Sequence, residues 1–271
     1  GKCHSFPSHF SLYFVHFITF YFVECSTTKH ATHVAGILAG SGVLSGGRYR
    51  GLAPGAQLAV LKILNEKGQG SVPQALAGLQ WILANRRKYH IRVANLSVGA
   101  NEAAGLAGLG RAIASLWDAG VVVVLAAGNR DAGSRPLAGP ELRRKAIVAG
   151  CWEDALWEAA APGRQKSPAD VTAPGVDIVS CLSPTFAFDN RLRRRSRVID
   201  GAYIPMTGTS MATPLVAAAV ALLLEKEPGL SPAAVKARLH QTARVTGPAA
   251  APIPLLDVAA LLAGTPAPRR A

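Results

Sequence analysis

The chain has 271 residues, of which 49% are hydrophobic and 17% are charged. This composition excludes a disordered or fibrous protein, and the length favours one α/β domain with a large core. Lys and Arg outnumber Asp and Glu by 29 to 16, which gives a net charge of +13. The cations are scattered apart from one dense run, Arg191–Arg197, and no nucleic-acid-binding motif accompanies them. General surface basicity is therefore favoured over a specific polyanion site, and the run also suits a processing site in an exposed loop.

The first 29 residues differ in composition from the rest of the chain. Six of the eight phenylalanines lie within residues 1–25, mostly in the run FSLYFVHFITFYFV. Three interpretations are open for this segment: a foreign or truncated piece, a membrane or export segment, and a true strand of the domain. We favour the first, because a membrane helix needs about 20 apolar residues and no small-residue cleavage site follows. A membrane partner is not expected.

Downstream, apolar runs alternate with segments of helical periodicity. The run at 121–127 has no polar alternation, so both faces of that strand should be buried, as in a parallel sheet. The alternation predicts a doubly wound, mostly parallel sheet flanked by helices. Strands are predicted at 58–64, 93–98, 121–127, 146–150 and 176–182, and helices at 72–87, 105–120, 211–228, 231–243 and 254–264.

The motif GTSMATP at 208–214 is the most specific chemical signal in the sequence. A serine nucleophile needs a sharp turn, a base within reach and donors aimed at the developing oxyanion. Gly208 allows close approach of backbone, and a helix starting at Ser210 directs its free N–H groups towards that oxygen. We expect Pro214 to fall in the first turn, where its missing N–H costs nothing. An ordinary capped core helix is the alternative if the motif stands alone.

Two further motifs carry candidate site residues. HATHVAG places His30 at the head of a helix of small apolar residues, and we expect His33 in the same motif to be structural. AAGN ends the most apolar strand with Asn129, at the strand edge where α/β sheets place their ligand sites. A plain turn asparagine is the alternative for Asn129.

Together these motifs resemble the subtilase family of serine proteases, from about His30 to Gly264. The segments GLAPGAQLAVLKIL, NLSVG and GQGS are similar to family segments, and the motifs occur in family order. The resemblance implies Ser210 as nucleophile, His30 as general base and Asn129 as side-chain oxyanion donor, acting on polypeptide substrates. It also implies a substrate-binding cleft formed by Ser97, Val98, Gly99, Gly68, Gly70, Ala126, Ala127 and Gly128.

The sequence departs from the family pattern before His30. The family's catalytic aspartate should lie in a D-T-G or D-S-G motif some 30 residues upstream, yet the first aspartate here is Asp118. We therefore expect a serine endopeptidase that is impaired as written, with an inactive, peptide-binding subtilase-like protein as the alternative. A missing first strand should also leave one position in the sheet unfilled. Ala31 replaces the motif glycine, which is tolerable if its φ is negative.

The remaining expectations concern organisation and partners. We divide the chain into a non-matching segment at 1–29, a catalytic domain at 30–264 and a tail at 265–271. Cys151 and Cys181 are open to a disulfide or to two buried thiols. No cofactor is expected for catalysis, and a structural Ca²⁺ suggested by the family has no D-x-D-x-D-like loop here. A monomer is expected, secreted or extracytoplasmic by family resemblance.

Overall fold

The computed structural model describes residues 16–21, 29–63, 71–97, 99–100, 105–128, 135–136, 142–159, 169–183 and 198–265. The strands are β1 His16–Tyr21, β2 Gln57–Lys62, β3 Ile91–Leu96, β4 Gly99–Ala100, β5 Val122–Ala126, β6 Arg135–Pro136, β7 Ile147–Cys151, β8 Val171–Ala173, β9 Ile178–Cys181, β10 Tyr203–Met206, β11 Arg244–Thr246 and β12 Ile253–Leu255. The α-helices are α1 Lys29–Ala39, α2 Val72–Asn85, α3 Leu106–Asp118, α4 Trp152–Ala159, α5 Thr209–Lys226, α6 Pro232–Thr242 and α7 Val258–Ala263.

Eight of the described strands form one sheet in the order β11-β12-β8-β7-β5-β3-β1-β2. Every neighbouring pair is parallel except β11 with β12 at one edge. The chain runs outward from β1 to β2, returns past β1 to β3, and then continues to the other edge. This is the predicted doubly wound α/β sheet, and its switch point lies between β1 and β3.

Both faces of the sheet are covered, which explains the unbroken apolar run of β5. Val122 and Val124 pack into a core cluster with α1, α5, α6 and α7. Val123 and Leu125 pack into a second cluster with α2 and α3. Because successive side chains of a strand point to opposite faces, a strand between two helical layers has to be apolar at every position.

Helix α5 crosses the centre of the first cluster, as its composition predicts. Among the described residues it is the one helix that is long and apolar enough to cross a membrane, and 72% of that segment is buried inside the fold. Core helices of globular domains are also apolar on all sides, so the burial of α5 accounts for its apolar composition.

The expected gap in the sheet is not present. Strand β1 fills the position between β2 and β3, pairing with both in parallel, with Thr19 opposite Val60 and Asn95. The backbone at 16–21 therefore fits the third interpretation of the aromatic segment, a true strand of the domain.

The predicted strand at 176–182 is shorter than expected and lies outside the main sheet. Strand β9 pairs with β10 in a separate antiparallel hairpin. Only Ser180 of β9 is buried, and Asp177 before it has a φ of 51°. A strand that is half-exposed and follows a left-handed residue does not fit the interior of a parallel sheet.

Candidate active site

The candidate site lies at the carboxyl ends of the parallel strands, around the switch point. Residue Ser97 directly follows β3, and Ala127 and Gly128 directly follow β5. Helix α1, with His30 in its first turn, is the described element that follows β1 in the chain. The carboxyl edge of the sheet is where open α/β sheets bind their ligands.

Ser210 is the second residue of α5 and is half-buried. Gly208 precedes the helix with φ 145° and ψ 166°, a conformation that strongly favours glycine. Its N–H donates to the carbonyl of Gly175 over 2.8 Å, and its own carbonyl accepts from Met211 N over 2.9 Å. The turn therefore holds Ser210 at a helix N-terminus, where partial positive charge favours a developing anion.

Pro214 does not fall in the first turn, contrary to the sequence expectation. The helix begins at Thr209, so Pro214 is its sixth residue and its missing N–H is the one that would bond to the carbonyl of Ser210. The Ser97 hydroxyl donates to that carbonyl instead, over 3.2 Å. Asn95 Nδ2 donates to the Ser97 hydroxyl over 3.0 Å and directs its proton towards Ser210.

His30 is half-buried in the first turn of α1. Burial first, and the neighbouring His33 second, lower the pKa of His30 to about 3. The imidazole is therefore neutral at neutral pH, as a general base must be, but a pKa this far below neutrality makes it a weak base. Ala31 lies in the helix with no positive φ, so the extra methyl group is tolerated there.

His33 is buried and has a structural environment, as expected. Its Nε2 lies 2.9 Å from the carbonyl oxygens of both Ile178 and Ile204, so Nε2 carries the proton and donates. Its backbone carbonyl accepts from the Ser180 hydroxyl over 2.7 Å. His33 thereby fixes α1 to the β9–β10 hairpin.

Part of the predicted cleft is described. Ala126 and Ala127 are buried and Gly128 is half-buried, with φ 90°, at the end of β5. Gly99 lies in β4, which pairs with β6 in a short antiparallel sheet. The predicted site residues outside the described part of the chain are Gly68, Gly70, Val98 and Asn129.

The cysteines described by the structure are thiols. Cys151 is buried and Cys181 is half-buried, and burial raises the pKa of both, that of Cys151 to about 12. Of the two alternatives left open by the sequence, the structure has the free thiols. Cys3 and Cys25 lie outside the described residues. No group of three or more His, Cys, Asp and Glu side chains comes together within the described ranges, so a calcium site is not assigned to them.

Comparison with known proteins gives consistent relatives. The model of the subtilase family matches residues 24–257. The serine protease AprX of Bacillus subtilis (strain 168) is 36% identical over 228 residues, covering 76% of this chain and 51% of that protein. Subtilisin DY of Bacillus licheniformis is 32% identical over 219 residues, covering 80% of this chain and 71% of that protein. Subtilisin Savinase of Lederbergia lenta is 34% identical over 218 residues, with the same two shares. The chain thus spans about half the length of AprX.

Proposed function

Because this chain belongs to the subtilase family, we propose that it is a serine endopeptidase that hydrolyses peptide bonds through an acyl-enzyme. The observation that carries the proposal is the placement of Ser210. It sits at the N-terminus of α5 after a glycine with φ 145°, on a turn bonded to Gly175 and to Ser97. That arrangement presents a hydroxyl beside free helix N–H groups, as nucleophilic catalysis requires.

The proposed mechanism combines the placement of Ser210 with the residue roles that the family resemblance implies. Ser210 Oγ attacks the substrate carbonyl carbon while His30 accepts its proton, and His30 later passes that proton to the leaving amine. The Ser210 N–H and the Asn129 side chain stabilise the tetrahedral oxyanion; removing one such donor typically costs about 10²–10³ in rate. Substrate lies as an added strand along 97–99, facing Gly68 and Gly70, with Ala126, Ala127 and Gly128 as a pocket wall.

The orienting carboxylate is the weak point of this mechanism. No aspartate precedes His30 in the sequence. In a serine protease triad this carboxylate fixes the histidine tautomer and stabilises the imidazolium, and its loss lowers turnover by about 10⁴ while leaving measurable catalysis. We therefore propose an impaired protease. The same observation favours a second candidate, a pseudoprotease that binds extended peptides without cleaving them.

Both candidates are accompanied by the same secondary proposals: polypeptide partners, no nucleic-acid or membrane partner, no catalytic cofactor, a monomer and an extracytoplasmic location. These follow from the family resemblance and the scattered surface charge. The two candidates therefore differ in whether the Ser210 hydroxyl is reactive.

Reaction with a fluorophosphonate probe tests the proposed function, with Ser210→Ala as the control. The probe labels a serine only when its hydroxyl is activated, so labelling that disappears in the control supports a protease. A folded protein that is not labelled but binds extended peptides supports the pseudoprotease. Cleavage of a casein digest by the wild type but not by Ser210→Ala provides the matching activity measurement.

A further inference from the structure

One carboxylate oxygen of Glu153 accepts two hydrogen bonds near the turn that carries Ser210. Its Oε2 accepts from the Cys151 thiol over 3.2 Å and from the Gly175 N–H over 2.9 Å. Cys151 ends β7, whereas Gly175 lies in the connection between β8 and β9. One half-buried side chain thus joins two separate segments at the carboxyl edge of the sheet.

The second of these segments is bonded directly to the turn of the nucleophile. The carbonyl of Gly175 accepts from Gly208 N over 2.8 Å, and Gly208 lies two residues before Ser210. The backbones are in close contact, because a Cβ atom at Gly175 would lie 2.9 Å from the Gly208 carbonyl and 2.8 Å from Cys151 Sγ. A displacement of Gly175 must therefore be transmitted to Gly208.

The protonation of the Cys151 thiol and the charge of the Glu153 carboxylate both favour stable hydrogen bonds at this position. Burial raises the pKa of the Cys151 thiol to about 12, so the thiol keeps its proton and donates it at any physiological pH. Glu153 also lies in the first turn of α4, where the helix dipole favours its negative charge. Hydrogen bonds to an ionised acceptor are roughly twice as strong as neutral ones.

We propose that Glu153 is a positioning residue for Ser210, acting through Gly175 and Gly208. Its carboxylate fixes the amide plane of Gly175, whose carbonyl sets the position of the Gly208 N–H and so the start of α5. The inference rests on the proposed function of Ser210 as nucleophile. Glu153 itself touches neither substrate nor the reacting atoms.

The test compares Glu153→Ala and Glu153→Gln with a matched control, Asp154→Asn. Asp154 occupies the same first turn of α4, so the control accounts for the loss of a charge that favours the helix dipole. Two measurements are made on the folded full chain: amide hydrogen exchange over 173–177 and 205–211, and the rate of fluorophosphonate labelling at Ser210. Where peptide cleavage is detectable, kcat and KM are measured separately.

We expect Glu153→Ala to speed amide exchange in both segments by about 10- to 100-fold. The Gly175 amide loses its hydrogen bond to the carboxylate, and the Gly208 amide then loses the fixed position of its acceptor, the Gly175 carbonyl. Labelling should slow by about 10-fold, with kcat lowered and KM unchanged. Glu153→Gln keeps an accepting oxygen and should recover much of both effects. Asp154→Asn leaves the Glu153 carboxylate in place and should change each of them clearly less than Glu153→Ala does.

Equal behaviour of Glu153→Ala and Asp154→Asn in both measurements overturns the inference. Faster exchange over 173–177 with no change over 205–211 also overturns it, because Gly175 would then move without Gly208. If the wild type is not labelled at all, the proposed function fails while the exchange comparison still decides whether Glu153 holds the turn.

Discussion

The carbonyl oxygen of Ser210 takes its hydrogen bond from the residue that follows β3 rather than from its own helix. Pro214 has no N–H to offer, and the Ser97 hydroxyl, held by Asn95, supplies the bond over 3.2 Å. Asn95 is fully buried, and its Oδ1 has no hydrogen-bond partner among the described residues. Its Nδ2 bond to Ser97 satisfies part of this buried amide and fixes the Ser97 hydroxyl at this end of the sheet.

Ser97→Ala should lower the free energy of unfolding by about 1–3 kcal/mol, because it leaves the Ser210 carbonyl and the buried Asn95 amide without this partner. Pro214→Ala restores a backbone N–H that reaches Ser210 from within the helix. The double variant should therefore lose about 1 kcal/mol less free energy of unfolding than the sum of the losses in the two single variants. Urea unfolding of all four proteins measures the coupling, and strictly additive effects would contradict the account of Pro214.

Asp170 joins the loop before β8 to α6 in a partly buried network. It accepts from Lys236 Nζ and from Val148 N, each over 2.8 Å, and lies 3.4 Å from His240 Nε2. Burial raises the pKa of Asp170, but the hydrogen bonds from His240, Lys236 and Val148 outweigh it and hold the pKa below its ordinary value of 3.8. The stabilisation is thus fully present above about pH 4 and is lost as the pH falls through the lowered pKa.

Asp170→Asn should cost about 1–3 kcal/mol at pH 7, because the half-buried Lys236 loses its counter-charge. Lys236 keeps the carbonyl oxygens of Arg143 and Ala146 as acceptors, which limits the loss. The matched control is Asp118→Asn, whose partner Lys145 is exposed, and it should cost at most about 1 kcal/mol. Denaturant unfolding should show that the difference in free energy of unfolding between the wild type and Asp170→Asn decreases from pH 7 to pH 2. A difference that stays constant over this range is incompatible with the lowered pKa of Asp170.

At the scale of elements, glycines decide how closely α1 approaches the β9–β10 hairpin. A Cβ atom at Gly36 would collide with Ser180 Oγ and lie 2.8 Å from Cys181 Sγ. Gly108 in α3 has room, since among the described residues its Cβ would meet only Leu76 Cδ1, at 3.8 Å. The same substitution therefore has opposite expected effects in two helices of the same layered fold.

Gly36→Ala should destabilise the protein by about 1–3 kcal/mol through overpacking. Gly108→Ala should stabilise it by about 0.4–1 kcal/mol, because alanine restricts the unfolded chain and fits the helix. Thermal unfolding of both variants beside the wild type gives the comparison. A Gly36→Ala variant as stable as the wild type would mean that α1 does not pack on β9 as described.

The sequence predicts the inner strands well because burial on both faces demands an unbroken apolar run, as at Val122–Ala126. It does not predict α4, because β7 ends at Cys151 and the helix begins at Trp152 with no connecting segment to mark the boundary. Glu153 was missed for the same reason. The motifs of the site are local and could be read from sequence, whereas the partners of Glu153 and Pro214 come from segments distant in the chain.

At the scale of the whole molecule, the sheet depends on an aromatic strand in its interior. Strand β2 is an edge strand whose ladder runs to β1, and β1 in turn pairs with β3. Ile18 lies opposite Ala59 on one side and Ala94 on the other. Without β1, the segment 57–62 would lose its pairing to the rest of the sheet. Strand β1 also pairs with β3, which Ser97 directly follows.

Ile18→Pro should break these pairings, because proline removes an N–H and is not tolerated in the middle of a sheet. Amide exchange over 57–62 should rise by at least about 10-fold, the equivalent of one lost hydrogen bond, and exchange over 91–96 should rise as well. The control is Val245→Pro in β11, the opposite edge strand, where Val245 is 65% exposed. It should leave exchange over 57–62 unchanged. If Ile18→Pro also leaves that exchange unchanged, the aromatic segment does not lie between β2 and β3, and the sheet position before His30 belongs to another segment.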